Sequence, residues 1–254
     1  IPYGVREVNM DFDVIGETME ENQKKIVVLL VAARREIVDK HVQALEAGGV
    51  DPFVLDVESF AVIRALDPQA RGDGDGAAAT VFVDLGGETT DIVITEGDQL
   101  RLTRNVNIGG DSLTKAVASR LDMEFTSAAQ VKEEKGVVLL EGETLPDDRT
   151  VLALHGAMLP ILGDLATEVR RSMDYFQTRW RESRIGRVVL SGGTARLENL
   201  GRFLSLELGV ETVVGDPFKT CDVSERVLPS DRRKQVGPAM ATAVGLALRG
   251  MVER

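Results

Sequence analysis

The chain has 254 residues, 43% of them hydrophobic, with 25 glycines and 8 prolines, which is enough for one large core or two modest ones in an ordinary globular protein. A formal charge of −11 argues against sequence-independent nucleic-acid binding, which draws on many cationic contacts to phosphate. A lone cysteine, Cys221, cannot close an internal disulfide, as suits a reducing compartment; no run approaches about eighteen apolar residues and no basic-plus-apolar leader opens the chain, so neither a spanning helix nor a signal peptide is expected.

Ile1 is not a methionine, and Ile1 to Ile15 reads as if already inside a domain, so a fragment is expected. Glu7 to Val14 alternates as a half-buried strand, and Lys25 to Ala32, in KKIVVLLVA, is a denser apolar strand of the kind covered on both faces. A helix follows, with Ile37, Val38, Val42 and Leu45 at helical spacing and Gly48-Gly49 as its stop. Val50 to Val57 is expected as a short strand running into a helix from Ser59 to Leu66. Pro68 to Ala79, rich in Gly, Asp and Ala, is expected as a surface linker and domain boundary. Its acids lack the ligand spacing and terminal Glu of a calcium loop.

Three strands then form a meander: Thr80 to Leu85, Asp91 to Thr95 and Gln99 to Asn107. Asn107 to Thr114 ends the third strand and opens a helix; Ser127 to Glu134 is a polar helix stopped at Gly136. Val151 to Arg184 is a long helical region, with an interruption expected at Pro160 and an apolar stripe of Leu165, Val169, Met173 and Phe176. Tyr175, Phe176 and Trp180 read as core or interface packing, the arginines of this helix as a solvated face, and His41 and His155 as solvated. Arg187 to Leu190 is a buried strand flowing into Ser191-Gly192-Gly193-Thr194, followed by a helix from Leu197 to Leu208. The chain closes with a small-residue helix after Gly237-Pro238. Runs of strands followed by strand-turn-helix units predict an α/β class with at least two lobes.

Chemistry is expected where glycines or short hydroxyl side chains stand at strand ends and helix starts, because backbone N–H groups and helix dipoles meet anions there. Four places qualify: the hairpin from Asp84 to Asp91, Gly109-Gly110, Ser191 to Ala195, and Gly237-Pro238. The hairpin, in VFVDLGGETTDIVI, puts Asp84 at a strand end, where a carboxylate holds Mg²⁺ through water, and Gly86-Gly87 in a turn able to wrap a phosphate.

In this order the elements resemble the actin, sugar-kinase and heat-shock ATPase superfamily. The resemblance implies an actin-like, ribonuclease H-like two-lobed ATPase fold that holds ATP and Mg²⁺ between its lobes. VFVDLGGETTDIVI looks like the second phosphate motif, with Asp84 carrying the Mg²⁺-linked carboxylate and Gly86, Gly87 and Thr89 around the phosphates. VVLSGGTARLENL looks like the adenosine motif, with Gly192, Gly193 and Thr194 against the nucleotide and Arg196 flanking the base. VLDVESFAVIRAL is similar to the first connecting helix, which puts Glu58 where the superfamily orients the attacking water. VGPAMATAVGLAL is similar to the second connecting helix, and AAQVKEEKG resembles the segment whose lysine, here Lys132, reaches the ribose. Three departures stand out. Glu88 occupies a turn position commonly small and must face solvent, Ala129 stands where an acid often pairs with the sugar, and the first phosphate hairpin is absent.

Within the superfamily, IPYGVREVNMDFDVIG and the stretch through VLDVESFAVIRAL resemble the PilM family of type IV pilus assembly and, more distantly, FtsA. That implies residues 1–67 as an incomplete first lobe, with an inserted small subdomain of the FtsA/PilM type over 5–49 and a return over 50–67. Residues 80–254 would form the second lobe, with its core at 80–118 and 185–254 and a helical subdomain over 119–184. The implied function is a cytoplasmic nucleotide-binding scaffold, at most a slow ATPase. It would sit peripheral to the inner membrane by binding the cytoplasmic tail of PilN among other pilus proteins, with self-association open. The alternatives are a small-molecule kinase of the same fold, using Glu58 as base, and an FtsA-like cell-division filament protein.

Overall fold

The computed structural model describes residues 4–20, 22–66, 78–142, 144 and 146–252. The chain forms two compact units, Ile1–Leu55 and Asp56–Arg254. The expected linker lies outside the described residues up to position 77, and Ala79 already opens a strand.

In the smaller unit, strand β1 (Val8–Glu20) pairs antiparallel with β2 (Gln23–Arg34). Register puts Met10, Phe12 and Val14 opposite Ala32, Leu30 and Val28, so one face of the ribbon is apolar, and a bulge falls between Val14 and Gly16. Both strands are longer than the alternation suggests. β2 is not covered on both faces: Ile26 is 63% exposed and Phe12, across the ribbon, 67%. A two-stranded ribbon has one helix for cover, α1 (Arg35–Ala47), which half-buries Val38 and Val42 and leaves Ile37 and Leu45 exposed. The helix stops as the Gly pair predicts. Gly49 takes φ 77°, its N–H donates to the Glu46 carbonyl, and the Val50 N–H reaches back to Leu45, which closes a Schellman motif. Residues 50–57 are not a strand; no described strand pairs with them.

The larger unit starts with α2 (Glu58–Leu66) and is built on a five-stranded sheet of order β5-β4-β3-β6-β7. Strands β3 (Ala79–Leu85), β4 (Thr90–Glu96) and β5 (Gln99–Val106) form the expected antiparallel meander. β6 (Ile185–Ser191) lies parallel to β3, and β7 (Thr212–Val214) parallel to β6. β3 is central and buried at every position, which is why ATVFVDL reads as continuous apolar sequence. Its side chains alternate between two cores. Val81, Val83 and Leu85 join α3 (Gly110–Leu121), α5 (Arg149–Arg179) and α6 (Leu200–Leu208) on one face. Phe82 joins α2 and α8 (Ala241–Val252) on the other, through Val62, Ala65, Leu66 and Ala241. The sequence reading returns α2 to the first lobe, whereas here it packs within the larger unit.

α4 (Phe125–Lys135) leans on α3 and α5, and α7 (Ser230–Val236) precedes a 3₁₀ turn at Gly237–Met240. Helix α5 is not interrupted at Pro160, because one stripe running from Leu154 through Met158, Leu162, Leu165, Val169 and Met173 to Phe176 holds both halves in the core. By length and composition alone α5 is apolar enough to cross a membrane, contrary to the count of apolar runs; its stripe is spent on the sheet and α3. Trp180 stacks on Phe176 at 5.2 Å under the guanidinium groups of Arg101 and Arg179, which is the packing role expected of it.

Candidate functional site

The β3–β4 hairpin ends on Asp84, which is 9% exposed and level with Ser191 on the parallel strand β6. Ser191 Oγ donates to Asp84 Oδ1 at 2.6 Å. Burial pushes the Asp84 carboxyl above its ordinary range, the Ser191 hydrogen bond pulls against that, and the Asp91 carboxylate across the hairpin adds to the rise. Glu58, at the first turn of α2, is also pushed up, by partial burial and then by Asp84 and Asp91. These acids share one electrostatic field, in which Asp84 and Asp91 raise the proton affinity of Glu58, and Asp91 that of Asp84. That donor set fits a divalent cation held through water; among the described residues no three His, Cys, Asp or Glu groups form a direct metal cage.

The hairpin turn is held from behind. Gly110 and Asp111, at the start of α3, donate their N–H groups to the carbonyls of Gly86 and Gly87 at 2.9 and 2.8 Å. The Gly109-Gly110 turn is therefore not itself an anion site, since its donors are used to clamp the hairpin. Glycine is required at 109, where a Cβ would lie 2.4 Å from the Gly87 carbonyl oxygen. The Gly86 N–H closes the turn on the Thr89 carbonyl at 3.0 Å, while the N–H groups of Gly87, Glu88 and Thr89 have no internal acceptor. Successive free N–H groups at a tight tip are an anion nest. Glu88 is exposed, as its charge requires.

On β6 the Ser191-Gly192-Gly193-Thr194 turn makes the facing wall. Gly192 takes φ 86° and passes so close to β3 that a Cβ would sit 2.2 Å from the Leu85 carbonyl oxygen, and its N–H is anchored on the Pro238 carbonyl. Gly193 and Thr194 then open a 3₁₀ turn whose first N–H groups are unused, a second small nest. Between the walls lies a cleft of about 1090 Å³, entirely within the larger unit, lined by Gly86, Gly87, Gly110, Lys132, Gly193, Thr194, Arg196 and Pro238 among others.

Most of the predicted cofactor residues thus meet in one place. Lys132 is half-buried, and burial lowers its pKa; its Nζ donates to the Gly110 carbonyl at 2.9 Å and to Thr114 Oγ1 at 2.8 Å, pinning α4 to α3. Arg196 lies exposed along the wall, donating to the Gly193 and Gln235 carbonyls. Thr89 and Gly192 shape the turns but do not line the cleft, and Asp84 and Glu58 stand outside it. Asp111, Glu133, Glu134, Arg202 and Lys234 also line it, and sequence reasoning did not select them. The adjacent acids in QVKEEKG were the available signal for Glu133 and Glu134; for Lys234, on a helix that sequence reading does not locate, there was none. His155 is not solvated: it is half-buried, and Nδ1 accepts the Leu139 N–H at 3.2 Å, so the ring is neutral, as the burial that lowers its pKa favours.

The sheet order, the paired helices α2 and α8 behind it and the glycine-walled cleft define an actin-like protein. Solved structures share that fold: MreB5 of Spiroplasma citri bound to ADP superposes with a TM-score of 0.57 at 12% identity, covering 87% of this chain and 66% of that one. Among curated relatives, the cell shape-determining protein MreB of Pasteurella multocida is 23% identical over 78% of this chain and 62% of its own length, so the chain spans less than two thirds of that relative. Cell division protein FtsA of Helicobacter pylori is 24% identical over 77% of this chain and 41% of its own length.

The chain belongs to the PilM family: residues 1–251 match the family described as type IV pilus assembly protein PilM. It also superposes on a chain of a solved PilM-PilN type IV pilus biogenesis complex with a TM-score of 0.80 at 29% identity, covering 98% of this chain and 68% of that one.

Proposed function

We propose that this chain forms the nucleotide-binding part of an actin-like scaffold in type IV pilus assembly. ATP lies in the cleft with its phosphates on the hairpin nest at Gly87 to Thr89 and its nucleoside along Gly193, Thr194 and Arg196. Mg²⁺ is held through water by Asp84, and Glu58 orients the attacking water for slow turnover. The observation that supports this reading is that Gly87 of the hairpin nest and Gly193-Thr194 of the facing turn, all with unused backbone N–H groups, line one cleft beside the buried Asp84. The likeness to the PilM-PilN complex supports a second part of the proposal, that the cytoplasmic tail of PilN docks on this protein and keeps it on the cytoplasmic side of the inner membrane.

Titration calorimetry on the full-length protein tests both parts. Mg·ATP is expected to bind one-to-one and to lose binding in Gly193→Val, a position where an added Cβ meets no protein atom and folding is left intact. A PilN-tail peptide is expected to bind both forms. Equal Mg·ATP affinity in wild type and Gly193→Val overturns the nucleotide assignment; no peptide binding at submillimolar concentration, with the fold intact, overturns the partner. ADP release that rises with an added sugar or carboxylic acid would instead mark a kinase.

A further inference from the structure

One buried charge cluster has no place in the cleft. Asp56, two residues before Glu58, has a side chain only 1% exposed, with Arg64 on one oxygen at 2.9 Å and Arg249 on the other at 2.7 Å. The second oxygen also accepts the Val57 N–H at 2.8 Å, and the same Arg64 nitrogen donates to the Gly245 carbonyl on α8 at 2.8 Å. Arg249 stands in the last turn of α8, where the helix dipole favours a cation. The cluster therefore ties the entry to α2, the far turn of α2 and two levels of α8 into one knot.

Apolar contact already joins these helices through Val62, Ala65, Leu66 and Ala241. Small and aliphatic side chains hold two helices together but tolerate slippage and rotation. A buried ion cluster adds little net stability, because desolvation cancels most of the Coulombic gain, but it admits only one alignment. At the crossing itself a Cβ on Gly245 would lie 1.8 Å from the Ala61 carbonyl oxygen, so the helix backbones touch at a point that can act as a pivot. Asp56 and Arg249 lie to one side of that pivot, as a brace must.

We propose that Asp56, clasped by Arg64 and Arg249, is a positioning residue that fixes the first turn of α2 and so sets the Glu58 carboxylate in the field of Asp84 and Asp91. This rests on the reading of Glu58 given above, and it assigns Asp56 no contact with nucleotide. The clasp, not the apolar seam, determines where Glu58 stands.

The test uses full-length protein as wild type, Asp56→Asn, Arg249→Lys and Glu58→Gln. Hydrogen–deuterium exchange at residues 58–64 is expected to quicken at least tenfold in Asp56→Asn, and to stay within twofold of wild type in Arg249→Lys, which keeps the ion pair, with α3 and α5 unchanged in both. Mg·ATP turnover at saturation is expected to fall about tenfold in Asp56→Asn while the Mg·ATP dissociation constant moves less than twofold, a split that general loss of structure would not give. Unchanged exchange at 58–64 in Asp56→Asn overturns the clasp. Faster exchange with undiminished turnover overturns the positioning of Glu58. Wild-type turnover in Glu58→Gln, or no turnover in wild type, removes the reading of Glu58 and with it the positioning role, while exchange at 58–64 still decides whether Asp56 holds α2.

Discussion

Asp84 is the residue at which stability and function oppose each other. Its carboxyl is raised by burial and by Asp91, so the folded protein holds that proton more tightly than the unfolded chain does. Stability therefore falls as pH rises from the ordinary carboxylate range through the raised folded value, and the penalty is complete above that value unless a cation offsets it. Asp84→Asn removes the charge and keeps an oxygen for the Ser191 hydroxyl. It is expected to raise the melting temperature of the nucleotide-free protein, by about 2–4 °C for each kcal/mol relieved in a domain of this size, to flatten the fall in stability that sets in as pH rises above the ordinary carboxylate range, and to abolish Mg²⁺-dependent ATP binding. Scanning calorimetry with and without Mg·ATP reads all three; a lower melting temperature in the free protein would show that the charge is compensated. Gly86, Gly87 and Gly193 could be placed on the cleft wall from the sequence because paired glycines after a strand mark a tight turn, and Lys132 came from the resemblance alone; Asp84, the strand-end acid, stands beside the cleft and not in its lining. Asp111, Glu133 and Glu134 could not be placed there from the sequence, since an acid on a helix looks the same whether its face meets solvent or a cleft. Nor could the sequence tell that the Gly110 N–H would be spent on Gly86.

Among the elements, the glycine stops of α1 and α6 and both ends of α2 were read nearly to the residue, whereas α6 starts at Leu200, three residues later than expected. Strand β7 was missed because three residues, Thr212–Val214, carry no period, and its place is set by pairing to β6. Residues 50–57 were misread for the complementary reason: an apolar run becomes a strand only where a partner edge exists. The crossing of α2 on α8 gives an element-scale prediction from two glycines of one helix. A Cβ at Gly245 collides with the Ala61 carbonyl, whereas one at Gly250 meets nothing within 4 Å. Gly245→Ala is therefore expected to destabilise by about 2–3 kcal/mol through overpacking, and Gly250→Ala to be neutral or to stabilise by a few tenths up to about 1 kcal/mol through helix propensity. Urea midpoints compare them directly; equal midpoints would mean that the helices part easily at their crossing.

For the whole molecule, burial is distributed very unevenly between the two units. The larger unit sandwiches its sheet between two cores, and the cleft is made wholly from it. In the smaller unit Val8 is the only described residue that is buried, so its two-stranded ribbon gains little from the helix beside it and stays close to the marginal stability of a lone hairpin. Local stability follows buried apolar contact, so the two units should not unfold as one. The chain carries its own reporter: its one tryptophan, Trp180, stacks on Phe176 in the larger unit. Urea titration is expected to show an early loss of far-ultraviolet circular dichroism, from β1, β2 and α1, before Trp180 fluorescence moves, and Mg·ATP should shift only the later transition, because ligand bound to one unit stabilises that unit. Coincident transitions by both probes, moving together with nucleotide, would instead mean that the ribbon draws its stability from the same cooperative core as the cleft.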